Sequence, residues 1–228
     1  MAASEGVQML TKEEIGRIEA ACGELALERV FVLSLAAAHR TLPVYQVYSE
    51  AHADLEGYGL VHDGLVGAWR VLRARPGASA IELAPRLEAA IRSAESDLES
   101  INTVDEFGLA QALAVESIST ATLALRAYLE ESRSGAFNAI VGALEVDSVW
   151  AEGEAERPGA EGDVSWDRLM THYGQQVRDI ALLSGADESD EQLLFRDIAM
   201  RAEREGMPFL VQMRELVSTT TPKSHRGS

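Results

Sequence analysis

The stretch from Phe107 to Leu125 constrains this chain most. It is built from Ala, Leu, Ser and Thr, it contains no Lys, Arg or His, and Glu116 is its only ionisable side chain. A helix with small and apolar residues around most of its circumference is stable only when other helices surround it. The surrounding sequence supplies those partners. Thr11-Lys12-Glu13-Glu14 reads as a capping box, and Ile15, Ile18, Cys22, Leu25, Val30 and Leu33 recur behind it at helical spacing. No run alternates apolar and polar residues in the way a strand requires. The expected fold is all-α: a single-domain multi-helix bundle of about seven to nine helices around the central Ala/Leu-rich helix, covering residues 1–217.

The first long helix is expected to end near Arg40, with Pro43 in the first turn of the next, where a missing N–H costs nothing. Glu56 to Gly59 reads as a turn before a helix over 60–75 that Pro76 closes, and Pro85 as the first turn of a helix to Ser100. Thr103 to Glu106 is a second capping box, in front of the Ala/Leu-rich helix. Residues 151–163 combine Gly, Pro and Glu with no aliphatic side chain larger than Ala, and are expected to form a flexible acidic loop. Three further helices follow, over 166–183, 187–204 and 208–217, and 218–228 reads as a disordered tail.

With 46% apolar residues in 228, one substantial core can be buried. The N-terminus lacks a basic segment followed by an apolar one, and no apolar run reaches membrane-spanning length, so a cytoplasmic protein is expected. A lone cysteine, Cys22, cannot form an internal disulfide and reads as a small buried apolar residue. The formal charge of −17 disfavours direct contact with nucleic acid or anionic membrane and favours a basic protein partner. The acid-rich stretches supply candidates for such a surface: Glu95, Asp97 and Glu99, and Glu152, Glu154 and Glu156.

A second candidate site is the expected helix joint, where Arg40, Tyr45, Tyr48 and Glu50 would lie close together, with Glu116 of the central helix as a possible pocket carboxylate. His39, His52 and His62 are spaced by 13 and 10 residues and match no metal-ligand pattern. His172-Tyr173 reads as surface or packing. No phosphate loop, nucleophile elbow or zinc motif occurs, so neither cofactor nor metal is expected and an enzyme is the less favoured class. The favoured expectation is a non-enzymatic interaction protein of immunity or antitoxin type, whose acidic surface neutralises a basic toxin or effector. The alternative is a small-molecule-binding protein, or an unrecognised enzyme, using the joint.

Around that joint the sequence resembles a family of all-helical bacterial proteins of unknown function, the YjaG-like proteins. Arg40, Pro43 and Tyr45 match the family's Arg, Pro and Tyr, with Val44 in place of its Asn, and Tyr48-Ser49-Glu50 matches its aromatic-Ser-Glu. Gly57-Tyr58-Gly59, Trp69, Leu87 to Ile91 with Ser93 to Asp97, and Phe107-Gly108 continue the likeness. Gln111 and Ala114 stand where the family tends to carry Pro and Asp. The resemblance spans residues 25–183 and implies an all-helical fold. It implies no activity, cofactor or catalytic residue.

Overall fold

A computed structural model describes residues 10–52, 55, 57–74, 80–103, 108–155 and 166–220. They form eight helices and no strand: α1 (Lys12–Glu24), α2 (Leu27–Ala51), α3 (Gly57–Arg73), α4 (Ala80–Asn102), α5 (Leu109–Leu129), α6 (Arg133–Ala155), α7 (Trp166–Ser184) and α8 (Glu191–Thr220). The all-α bundle expected from the periodicities is what forms. Glu156, the Pro76 turn, the Thr103 to Glu106 capping box, residues 156–163 of the expected loop and residues 221–228 of the expected tail lie outside the described residues.

The first capping box forms as expected. Glu14 N–H donates to Thr11 Oγ1 at 3.2 Å, and Thr11 N–H donates to the Glu14 carboxylate at 2.8 Å. The long helix expected behind it is two helices, because the chain becomes extended at Leu25 and Ala26. Arg133 of α6 donates to the carbonyl oxygens of Cys22 and Leu25, supplying hydrogen bonds at the break. Cys22 is buried beside it, and burial pushes its thiol up to about 11, which suits a packing residue and not a nucleophile.

α2 is the hub. It packs against α8, α5, α6, α3 and α7, while α4 lies outside α3 and α5, and α1 touches α6 and α7. Its segment from Val30 to Ala38 is buried throughout, on every side of the helix. α5 is buried over Leu113, Ala114, Ile118, Ala121, Ala124 and Leu125 and lies against α2, α6 and α4. The Ala/Leu-rich helix is therefore central, and α2 is buried along still more of its length.

The expected break at Arg40 does not occur. α2 continues through Pro43 to Ala51. Proline has no N–H, so the His39 carbonyl loses its usual helical donor. Gly206 of α8 lies against that spot, where an added Cβ would come within 2.8 Å of the Arg40 oxygen and 3.1 Å of the His39 oxygen. The last two expected helices are also one: α8 runs unbroken through Pro208. The first residues of the expected acidic loop, Ala151 to Ala155, are the last turn of α6.

Candidate functional site

α7 buries an unusual seam. Leu169, His172, Gln176, Asp179 and Leu183 recur at intervals of three and four, and all five are buried. Three of them are polar, so each needs a partner on a neighbouring helix. Gln176 Nε2 donates to the Ile140 carbonyl of α6 at 3.0 Å. Asp179 receives hydrogen bonds from Arg40 of α2 and Arg201 of α8. His172 meets Asp147 of α6, with its Nδ1 2.5 Å from Oδ2.

Arg40 and Asp147 anchor two adjacent ionic groups. Arg40 is buried on α2, where an unpaired guanidinium would be very costly. Its Nε donates to Glu205 at 2.8 Å and its Nη2 to Asp179, while Arg178 donates to the other Glu205 oxygen at 2.6 Å. Burial would raise the Glu205 carboxyl, and the Arg178 and Arg40 hydrogen bonds outweigh it, holding Glu205 below the usual carboxylate value. Three arginines thereby share two carboxylates and tie α2, α7 and α8 together.

The second group grips Asp147 from both sides. Arg168 and His172, four residues apart on α7, face the same way. Arg168 Nε stands 2.9 Å from Oδ1, opposite the His172 contact on Oδ2. The guanidinium lies over the rings of Phe209 and Trp150, with its carbon 3.8 Å and 4.6 Å from their centroids. Burial lowers the Arg168 pKa and Asp147 opposes that shift, as does the charge of Glu154. Arg168 Nη1 donates to Gln212. Its Nη2, the Nε2 of His172 and the Oδ1 of Asp147 are buried and make no hydrogen bond among the described residues.

Both ionic groups border one cleft of about 320 Å³, lined by Arg40, Asp147, Asp167, Arg168, Thr171, His172, Gln175, Glu205, Pro208, Phe209 and Gln212. The carboxylate of Asp147 fixes the ring of His172 by accepting from Nδ1; Nε2 then accepts when the ring is neutral and donates when it is protonated. The cleft lining thus carries three polar atoms without a hydrogen-bond partner, on Arg168, His172 and Asp147. Among the described residues no three His, Cys, Asp or Glu side chains are grouped to hold a metal ion.

Of the residues expected at a helix joint, only Arg40 reaches this cleft. α2 runs on through the expected joint, and the other candidates there lie apart from the cleft. Tyr45 is buried and donates to Asp97, which also accepts from Gly57 N–H at 3.1 Å. Burial, then Asp97, raise the Tyr45 pKa. Tyr48 is buried and stacks on His52 with ring centroids 4.1 Å apart. Glu50 is exposed and lies 3.3 Å from Arg214. Glu116 is half-buried, and burial and the neighbouring Glu145 raise its pKa.

The acidic candidates divide as well. Asp97 does not belong to a surface: it is buried at the N-terminus of α3, where a carboxylate complements the free N–H groups. Glu95 is ion-paired with Arg126. Glu99 and Glu152 are exposed and Glu154 partly so, the last two in the final turn of α6.

Sequence reasoning did not single out Asp147 and Arg168 and read His172 as surface or packing, although one signal for His172 exists. The seam Leu169-x2-His172-x3-Gln176-x2-Asp179-x3-Leu183 puts polar residues where a packed helix has apolar ones. Fold and site together define an all-α bundle, of eight helices among the described residues, with a polar cleft beside α2. No family model, curated protein or solved structure matches the chain. The resemblance to the YjaG-like proteins rests on its residues alone.

Proposed function

We propose that this chain binds a small neutral molecule that presents a hydrogen-bond acceptor and donor side by side, as an amide, a lactam or a hydroxy-carbonyl compound does. The observation carrying this reading is the set of buried, unsatisfied groups on the cleft lining, Arg168 Nη2, His172 Nε2 and Asp147 Oδ1, with His172 read as the neutral ring. Buried polar groups in folded proteins almost always have partners, and a set left without them beside a cleft marks a place where a ligand gains more than it loses in desolvation. A neutral ligand fits the charge. The lining holds Arg40 and Arg168 against Asp147, Asp167 and Glu205, so neither a cation nor an anion finds a strong excess of the opposite sign.

The test is a thermal-shift and calorimetric screen of neutral amides, lactams and hydroxy-carbonyl compounds, followed by ¹⁵N spectroscopy of the histidine rings. The expected result is a hit that shifts the His172 Nε2 resonance and loses at least about tenfold in affinity in His172→Phe, a difference of about 1.4 kcal/mol. Hits that leave that resonance in place, or that are all charged, would count against it.

The second reading, an immunity-type protein whose acidic face neutralises a basic effector, is favoured by one feature of α6. Glu152 and Glu154 occupy the last described turn of α6 with no basic residue in it, Glu152 exposed and Glu154 partly so, which fits a contact surface for a basic partner. The face for a basic partner would be Glu99, Glu152 and Glu154, without Asp97.

A further inference from the structure

α8 carries a line of side chains that the bundle does not cover. Leu193, Met200 and Met207 recur every seven residues at 56%, 55% and 50% exposure, and Val211 extends the row at 53%. Seven residues are nearly two helical turns, so the row stays on one face for about 27 Å. Large apolar side chains scattered singly on a surface need no explanation, but a heptad line of them does.

The charges beside the row are ordered. Arg196 and Glu203 flank it on one side, and Asp197 and Arg204 on the other, each pair seven residues apart and all four exposed. Among the described residues Arg196 and Asp197 form an ion pair only with each other, at 3.5 Å, and Glu203 and Arg204 make no ion pair or side-chain hydrogen bond. Read along the chain, the signs invert about Met200: plus then minus before it, minus then plus after it.

We infer that this face is a dimerisation surface, on which a second copy of the chain docks its own α8 antiparallel about a two-fold axis through Met200. In an antiparallel pair each flank meets the same flank of the other helix. Met200 then packs on the partner's Met200 and Leu193 on the partner's Met207. On one flank Arg196 faces the partner's Glu203, and on the other Asp197 faces the partner's Arg204. Symmetry doubles both ion pairs, as an isologous interface requires. An unrelated partner would impose no inversion of sign about Met200. Nor does net charge stand in the way: the chain carries −17, whereas these four flanking residues sum to zero, so this face escapes the repulsion the copies meet elsewhere.

The experiment is sedimentation equilibrium of the full chain from micromolar to submillimolar concentration, with variants outside the cleft lining. The wild type is expected to show a monomer–dimer equilibrium. Asp197→Arg places like charges together on both copies and should weaken the dimer about tenfold or more. The double variant Asp197→Arg, Arg204→Asp restores opposite signs and should return the dissociation constant to within about threefold of wild type, on the usual scale of near-neutral changes. Oxidation should link Met200→Cys into a covalent dimer but leave Leu193→Cys unlinked, because residue 193 lies opposite the partner's Met207; the native Cys22 is buried and does not compete. A wild type that stays monomeric throughout overturns the inference. So does a dimer indifferent to Asp197→Arg, or one in which Leu193→Cys links as readily as Met200→Cys.

Discussion

His39 shows how one side chain can set a pH dependence. Trp69 Nε1–H donates to His39 Nδ1 at 2.9 Å, so that nitrogen is an acceptor and the ring is neutral. Burial, followed by repulsion from His62, lowers its pKa from 6.5 to about 4, and the Arg73 charge acts the same way. The folded value lies below the unfolded one. Between the two, the unfolded chain binds a proton that the folded chain refuses, so stability falls as pH drops through that window. The expected loss between pH 6.5 and 5 is at most about 2 kcal/mol. His39→Gln keeps an oxygen acceptor for Trp69 and does not titrate. Urea midpoints at the two pH values should therefore differ less in the variant than in the wild type, and an unchanged difference would exclude His39 as the source. Glu205 acts in a separate window: its lowered pKa contributes stability that is present above about pH 4.5 and is lost below it as the folded value is crossed.

Between elements, the α2–α8 contact depends on the absence of one side chain. An added Cβ at Gly206 would meet backbone oxygens of Arg40 and His39, which cannot rotate away as a side-chain tip could. Gly206→Ala should therefore destabilise by about 2 kcal/mol, even though Ala is the better helix former by about 1 kcal/mol. Gly174, also inside a helix, has nothing within 4 Å of its added Cβ. There the same change should stabilise by about 0.5–1 kcal/mol, from propensity alone. Opposite signs for the two substitutions in chemical denaturation would support the packing described; equal signs would refute it. Pro43 and Pro208 teach the same lesson about helix length. Each reads in sequence as a boundary, yet α2 and α8 continue through them, because burial along both flanks of a proline outweighs one lost hydrogen bond.

For the whole molecule, charge is the property that reaches furthest. No helix among the described residues is long and apolar enough to cross a membrane. A chain at −17 steers basic macromolecules toward itself from beyond contact distance. If the immunity-type reading holds, association with a basic effector should slow several-fold as the Debye length falls below about 10 Å, and reversing Glu99, Glu152 and Glu154 to Lys should remove most of that salt dependence. Stopped-flow association rates at rising salt decide it. Rates indifferent to both salt and the triple reversal would reduce the acidity to a solubility device and leave the cleft as the functional site.

Much of the architecture lay in local pattern. Helix class, the Thr11 capping box, the buried Cys22 and the packed Ala/Leu-rich α5 all follow from spacing and side-chain chemistry, which act over a turn or two of one helix and need no knowledge of what lies across the core. The site does not work that way. Asp147 and His172 are 25 residues apart, and Arg40 and Asp179 are 139 apart, so nothing in either local sequence announces the other. Asp97 looks like one more surface acid until the fold sets it against Tyr45 and the start of α3. His172 looks like packing until α6 brings a carboxylate to its ring. Sequence determined which faces must be hidden. Only the tertiary structure decided which polar groups were hidden with them, because a buried charge is tolerable only beside a partner that long-range packing delivers.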